Sequence, residues 1–198
     1  MDLDRIPLIL GIGGAARTNS SSEMALRVAL GAAEACGVDV AVVTGADLDI
    51  PMYAPHLQGK CSPQAQQLVD LFRRCDGVII SSPSYHGGVS GLIKNALDYT
   101  EELAKDARVY LDGCPVGVIG CGAGWQGANQ VVSGLRGIAH ALRGWPTPMA
   151  AALNTSQPMF DEHGLCTDRG ALFQLQMVGR QVAEFALMKA RSCEPCDA

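Results

Sequence analysis

Charge is scarce in this chain. Asp, Glu, Lys and Arg together make up 18% of it, and its four lysines are scattered with no basic stripe. Affinity for a phosphate backbone needs clustered Lys and Arg, so nucleic acid is not an expected partner. Long apolar runs are also missing, and none approaches the roughly 20 residues of a membrane helix, so no membrane association is expected. Glycine shows no period of three, which excludes a collagen. Asp2 and Asp4 give the first residues the wrong sign for a secretory leader, and the expectation is a soluble, cytoplasmic protein. The eight cysteines do not suggest a disulfide scaffold, because that signature belongs to short secreted chains. Buried or half-buried free thiols are expected instead.

What is abundant is apolar. Hydrophobic residues make up 48% of 198 residues, with a net charge of −5. A chain of this length buries roughly 70% of its unfolded surface and needs neither disulfide nor structural metal. Residues 1–191 are expected to form one domain. Residues 192–198, short, polar and terminal, are expected to form a flexible tail.

Five short apolar runs recur at intervals of about 35 residues: Ile6–Ile12, Val38–Thr44, Gly77–Ser82, Pro115–Gly120 and Pro148–Leu153. The first, third and fourth are continuously apolar, as strands covered on both faces should be. Helical patterns lie between them. Ala25, Val28, Ala29, Ala32 and Cys36 line one face of the first, with Glu23 and Arg27 as an i,i+4 pair. Ser62 and Pro63 open the second, and Ala65, Leu68, Phe72 and Cys75 form its stripe. Further helices are expected from Gly91 to Ala104, Ala128 to Leu142, and Thr167 or Asp168 to Arg191. Strand and helix alternating five times predict a parallel sheet with helices on both faces. Ligands of such sheets sit at the carboxyl ends of the strands, where the strand order reverses.

Three loops fall at that edge. After strand one comes a glycine-rich stretch with Arg17, Thr18, Asn19, Ser20, Ser21 and Ser22, which places donors and one cation at a helix amino end suited to an anion. No Gly-Lys-Ser/Thr follows, so it is not a Walker loop, and Ala16 stands where a dinucleotide fingerprint has its last glycine. Ser20 and Glu23 alone would make an ordinary capping box. After strand three, Pro83-Ser-Tyr-His-Gly87 offers backbone groups and an aromatic ring to a flat heterocycle. After strand four, Gly120-Cys-Gly-Ala-Gly-Trp-Gln-Gly127 allows close backbone approach. One phosphate loop and two planar-ring loops on one edge describe a mononucleotide site.

Three segments, Arg17-Thr-Asn-Ser20, Pro83-Ser-Tyr-His-Gly87 and Gly91-Leu-Ile-Lys-Asn-Ala-Leu-Asp98, resemble the NADPH-dependent FMN reductase family. Pro51-Met-Tyr53 and Phe160 to Leu165 fit the same pattern, and the run from Gly91 to Tyr99 is its most specific part. The resemblance implies a flavodoxin-like three-layer α/β sandwich with a five-stranded parallel sheet of order 2-1-3-4-5. It implies that Arg17, Asn19, Ser20 and Ser22 hold the FMN phosphate. Pro83, Ser84, Tyr85, His86 and Gly87 would line the ring, and Gly122, Gly124 and Gly127 would complete the pocket. The chain departs from the family pattern at Ala15, Ser84 and His86.

The implied reaction passes hydride from NADPH, with NADH as the alternative donor, through FMN to a quinone, flavin or similar small-molecule acceptor. Flavin carries that chemistry, so the protein's task is to orient and tune it. His86 is the one histidine in the three loops and the candidate catalytic residue, because histidine exchanges protons near neutral pH. The family habit is a homodimer or homotetramer. Two other readings stay open: a specialised dehydrogenase of a biosynthetic intermediate, and an electron carrier without direct NADPH reactivity. The remaining motifs read as ordinary structure. Cys193-Glu-Pro-Cys196 is half a metal site in a tail, Asp161-Glu-His163 a polar loop, Lys94 and Asp98 a helix-surface pair, and Trp125 and Trp145 packing or interface residues. No metal site is expected.

Overall fold

A computed structural model describes residues 5–192. Its strands are β1 (Leu8–Gly13), β2 (Asp39–Thr44), β3 (Gly77–Tyr85), β4 (Gly88–Val89), β5 (Pro115–Gly122), β6 (Trp145–Pro146) and β7 (Ala151–Asn154). Its helices are α1 (Ser21–Glu34), α2 (Pro63–Arg74), α3 (Gly91–Asp98), α4 (Trp125–Ala141) and α5 (Arg169–Ser192). The parallel path runs β2-β1-β3-β5, with β6 and then β7 on the far side of β5. This is the expected 2-1-3-4-5 order, with two differences. The fifth strand is broken: β6 pairs with the start of β5 and β7 with its end, with Pro146 closing β6 and Pro148 inside the interruption. A short strand, β4, also folds back antiparallel on β3.

The sheet is covered on both faces because its strand residues alternate sides. Leu10, Ile12, Val78, Ile80, Val116 and Val118 pack with α2, α3 and α4 on one face, while Ile9, Ile79, Ile119 and Ala151 pack with α1 and α5 on the other. β1 and β5 are almost wholly buried, whereas β2 at the edge is mostly half-exposed. Ser62 caps α2, its Oγ accepting the Ala65 amide at 3.2 Å, with Pro63 at the first helical position. Asp168 caps α5 through a 2.7 Å bond from the Ala171 amide. The expected helix from residue 91 becomes α3 followed by a 3₁₀ turn, Tyr99–Leu103. α4 begins three residues earlier than its apolar pattern, at Trp125 instead of Ala128, because its first turn is not buried against the sheet.

Arg108 ties the opposite, amino-terminal edge. Its guanidinium donates to the carbonyls of Phe72, Arg73 and Cys75 where α2 ends, a favourable place for a cation, and to the Cys114 sulfur at 3.2 Å. Six described cysteines are free, as expected, and Cys75, Cys114 and Cys121 are buried. Cys121 lies in β5, not in the glycine loop that follows. Ser192, placed in the expected tail, is instead the last residue of α5, and the rest of that segment, with Cys193 and Cys196, lies outside the described residues.

The tightest helix contact rests on Gly179. A Cβ there would stand 1.9 Å from the Ala29 carbonyl oxygen, so α5 sits directly on the α1 backbone. A Gly179→Ala substitution must push the two helices apart and is expected to destabilise by about 2–3 kcal/mol, despite about 1 kcal/mol gained in helix propensity. Gly31→Ala in α1, where a Cβ meets nothing within 4 Å, should instead stabilise by about 0.5–1 kcal/mol. Urea unfolding of the two variants checks both signs.

Candidate active site

β1, β3 and β5 are neighbours, so the loops at their carboxyl ends are neighbours too. Gly13 stands opposite Ser81, and Pro83 opposite Cys121. β1 leads one way along the sheet to β2 and β3 leads the other way to β5, so the strand order switches between β1 and β3.

The loop after β1 leaves through Gly14, at φ 99, and reaches Asn19 at φ 55, a left-handed conformation that asparagine tolerates. Ser20 caps α1, its Oγ accepting the Glu23 amide at 3.3 Å. The reciprocal half of the capping box is shifted by one residue: the Glu23 carboxylate accepts the Asn19 amide at 3.0 Å. The same carboxylate pairs with Arg27 at 2.8 Å, the expected i,i+4 contact. Glu23, the nearest carboxylate along the chain, is thereby committed, and the exposed guanidinium of Arg17 stands free of it. Arg17, Thr18 and Asn19 are exposed, whereas Ser20 and Ser22 are 4% and 2% exposed with their hydroxyls 3.2 Å apart. The expected phosphate set thus divides into open residues and a buried cap. The first-turn amides of Ser21 and Ser22 have no intrahelical acceptor.

The stretch after strand three is not an irregular loop. Pro83, Ser84 and Tyr85 continue β3, and Ser84 pairs with Val89 and Tyr85 with Gly88 across a two-residue turn. His86 and Gly87 form that turn at φ 51 and φ 80, both in the left-handed region a type I′ hairpin requires. The root of the hairpin is pinned by Ser82, whose Oγ accepts the Ser90 amide at 3.0 Å and donates to the Pro83 carbonyl at 2.9 Å. Tyr85 and His86 are exposed at its tip, while Pro83 and Ser84 are half-buried.

The three glycines of the last loop do different things. A Cβ at Gly122 would lie 2.9 Å from the Ala128 amide nitrogen, and one at Gly127 would lie 2.8 Å from the Ser84 Oγ. Both glycines let α4 close onto β5 and the hairpin. Gly124 faces open space and caps α4 in extended backbone, with no side chain over the first-turn amides. Trp125 follows it, 59% exposed.

Asn95, in the specific run from Gly91, is a residue that sequence reasoning left without a role. It is buried, its Oδ1 accepts the Tyr53 amide at 2.8 Å, and its Nδ2 donates to the Ile50 and Pro51 carbonyls at 3.4 and 3.1 Å. The Tyr99 hydroxyl adds a 3.0 Å bond to the Pro51 carbonyl. This run therefore clamps the segment that follows β2. Lys94 and Asp98 form the expected surface pair, at 2.5 Å. Asp161 is occupied locally, its Oδ1 accepting the His163 and Leu165 amides at 2.9 Å.

The chain matches the NADPH-dependent FMN reductase family over residues 7–157. It belongs to that family. A curated relative, an NAD(P)H-dependent FMN reductase of Pseudomonas aeruginosa, is 26% identical over 179 residues, covering 88% of this chain and 93% of that one. An FMN-dependent NADPH-azoreductase of Staphylococcus aureus is 36% identical over 114 residues, covering 56% of this chain and 57% of that one. FerB, a flavoenzyme NAD(P)H:(acceptor) oxidoreductase from Paracoccus denitrificans, superposes with a TM-score of 0.72 at 20% identity, covering 92% of this chain and 97% of that one, a likeness of fold. As a member of the FMN reductase family this chain is an oxidoreductase, and the flavodoxin-like fold is the family's.

Beneath the last loop of this family member, burial pushes the Cys121 thiol up to about 12 from an ordinary 9.0. A raised acid pKa means that the fold favours the protonated thiol. That contribution to stability is complete below pH 9.0 and is lost as pH climbs towards about 12. Native protein at pH 8 is expected to leave Cys121 unlabelled by iodoacetamide, read by peptide mass spectrometry. Cys121→Ala should lose less stability between pH 9 and 11 than the parent does.

Proposed function

We propose that this chain is an FMN-dependent NAD(P)H oxidoreductase that passes hydride from NADPH to a quinone, free flavin or similar small-molecule acceptor. The observation that carries this reading is the presence of two helix amino ends at one sheet edge, on either side of the β3–β4 hairpin, with an uncommitted arginine beside one of them. An amino end offers free N–H groups and a favourable dipole, which suits a phosphate at α1 and an electron-rich ring edge at α4. The residues present fit FMN on that ground, and bound FMN supplies the hydride chemistry.

Arg17 and Asn19, with the amides of the first α1 turn, would hold the phosphate, while Ser20 and Ser22 shape that turn from beneath. The β3–β4 hairpin, from Pro83 through Gly87, would line the ring, with Tyr85 as its exposed aromatic. Gly124 would leave room for the ring, and Gly122 and Gly127 would hold α4 against it. His86, exposed at the hairpin tip, would exchange a proton with the reduced acceptor. Residues 1–191 act as one domain in this reading. No helix among the described residues is long and apolar enough to cross a membrane. The six cysteines among the described residues, all free, support a reducing, cytoplasmic setting. The exposed Trp145, stacked edge-on against Phe185 at 5.1 Å beside exposed Met188, supports assembly into a homodimer or homotetramer.

The test is an anaerobic absorbance spectrum of the FMN-loaded protein before and after one equivalent of NADPH. Bleaching within seconds is expected, and a flavin band that ignores both NADPH and NADH overturns the reading. Arg17→Ala is expected to weaken FMN binding by about tenfold or more while leaving riboflavin, which lacks the phosphate, unaffected. Flavin fluorescence titration reads both.

A further inference from the structure

Beside the β5–α4 loop lies a cleft that none of the roles above uses. It is about 130 Å³ in volume and opens between Trp125 at the start of α4, the end of β7 and the start of α5. Its floor is apolar, formed by Leu153 and Met159, which are 2% and 8% exposed. The indole of Trp125 forms one wall, and Asn154, Asp168 and Gln174 supply polar groups.

Each feature narrows the occupant. A cavity of about 150 Å³ holds a benzene ring, whereas whole cofactors need several hundred. The cleft therefore seats one ring and not a dinucleotide or a flavin. Among the described residues no Lys or Arg lines it, so it offers no side-chain cation to a phosphate or sulfonate. Asp168 caps the α5 amino end, its carboxylate accepting the Ala171 amide at 2.7 Å, and carries negative charge at the rim. An anionic ring is thereby disfavoured. The Asn154 Oδ1 is taken up by the Ser156 amide and hydroxyl at 3.1 and 2.7 Å, so the NH₂ group is what remains to meet a ligand, and it asks for a carbonyl acceptor. The exposed indole favours a flat partner.

We propose that this cleft is a subsite for one uncharged, unfused aromatic or quinonoid ring bearing a carbonyl or carboxamide, and that it seats the electron acceptor against Trp125. The assignment to the acceptor rests on the oxidoreductase reading above; the ligand class rests on the cleft alone.

The probes are benzamide and benzoate, which share a ring and differ in charge. Trp125 and Trp145 are the two tryptophans of the chain, so Trp145→Phe leaves Trp125 as the single indole reporter. Benzamide is expected to give a saturable change in Trp125 emission, and benzoate to bind about tenfold more weakly or worse. Asp168→Asn, which keeps a cap, should narrow that gap to about threefold or less. Calorimetry on the parent and on Trp125→Ala repeats the benzamide measurement without a reporter, with loss of binding expected in the variant. No saturable response in the parent, equal affinity for benzoate, or equal binding by Trp125→Ala overturns the proposal. In turnover, benzamide should raise the apparent KM for duroquinone without changing kcat. If NADPH bleaches the flavin but benzamide neither binds nor competes, the cleft proposal falls alone. If benzamide binds but NADPH leaves the flavin oxidised, the acceptor assignment falls with the oxidoreductase reading.

Discussion

The seating of α4 on β5 and on the β3–β4 hairpin is the contact from which the rest of the site follows. It is a backbone contact. A Cβ at Gly120 would stand 2.3 Å from the Ala128 carbonyl, and those at Gly122 and Gly127 would meet the Ala128 amide and the Ser84 hydroxyl. With no side chain at these positions, the helix lies directly on the strand, and its amino end is held beside the hairpin that carries Tyr85 and His86. The same economy acts on the other face, where Gly179 lays α5 on α1. Two helix amino ends then share one edge, and an edge of that kind attracts an anion and an electron-rich ring before any catalytic side chain is considered. Glycine here builds the site by absence, setting distances that any larger residue would lengthen.

Most of the frame could be read along the chain because burial on both faces leaves a simple mark. Gly77–Ser82 and Pro115–Gly120 show no polar–apolar alternation and fall inside the buried cores of β3 and β5. Ser62 with Pro63 announced the start of α2, since the cap and the proline each answer a physical need of that turn. What could not be read either carries atypical local signals or depends on partners distant in sequence. The hairpin is one example: His86-Gly87 takes the place of the usual Asn-Gly pair, and Pro83 disguises a strand as a loop. The buried state of Ser20 and Ser22 is another, since a run of five exposed-looking hydroxyl and amide residues gives no sign of which ones turn inward. Trp125 was legible only as a large residue after Gly-Ala-Gly, and its exposure required the fold.

Asn95 shows why a specific motif need not mark chemistry. Its side-chain amide meets three backbone groups of the segment from Ile50 to Tyr53, a set of bonds that no shorter or apolar residue reproduces. That segment packs Tyr53 edge-on against Tyr99 at 5.2 Å, so the clamp and the aromatic pair brace each other. Arg108 does a comparable task at the other end of the molecule, where it gathers the last carbonyls of α2. Polar residues placed to satisfy buried backbone thus hold both ends of the sheet, and the loops between them are left free to meet ligands.

The break in the fifth strand has a further consequence. β6 and β7 form the outer edge beside β5, and an outer edge normally presents a row of unpaired amides and carbonyls to any passing strand. Here Pro146 removes one donor, Pro148 removes another, and beyond Thr147, whose amide donates to the Val116 carbonyl at 3.0 Å, the chain leaves the ladder until β7. A foreign strand finds at most four residues in register before the edge turns away. An apolar parallel sheet, slow to assemble and prone to recruit its neighbours while it does, is in this way kept from growing past this edge.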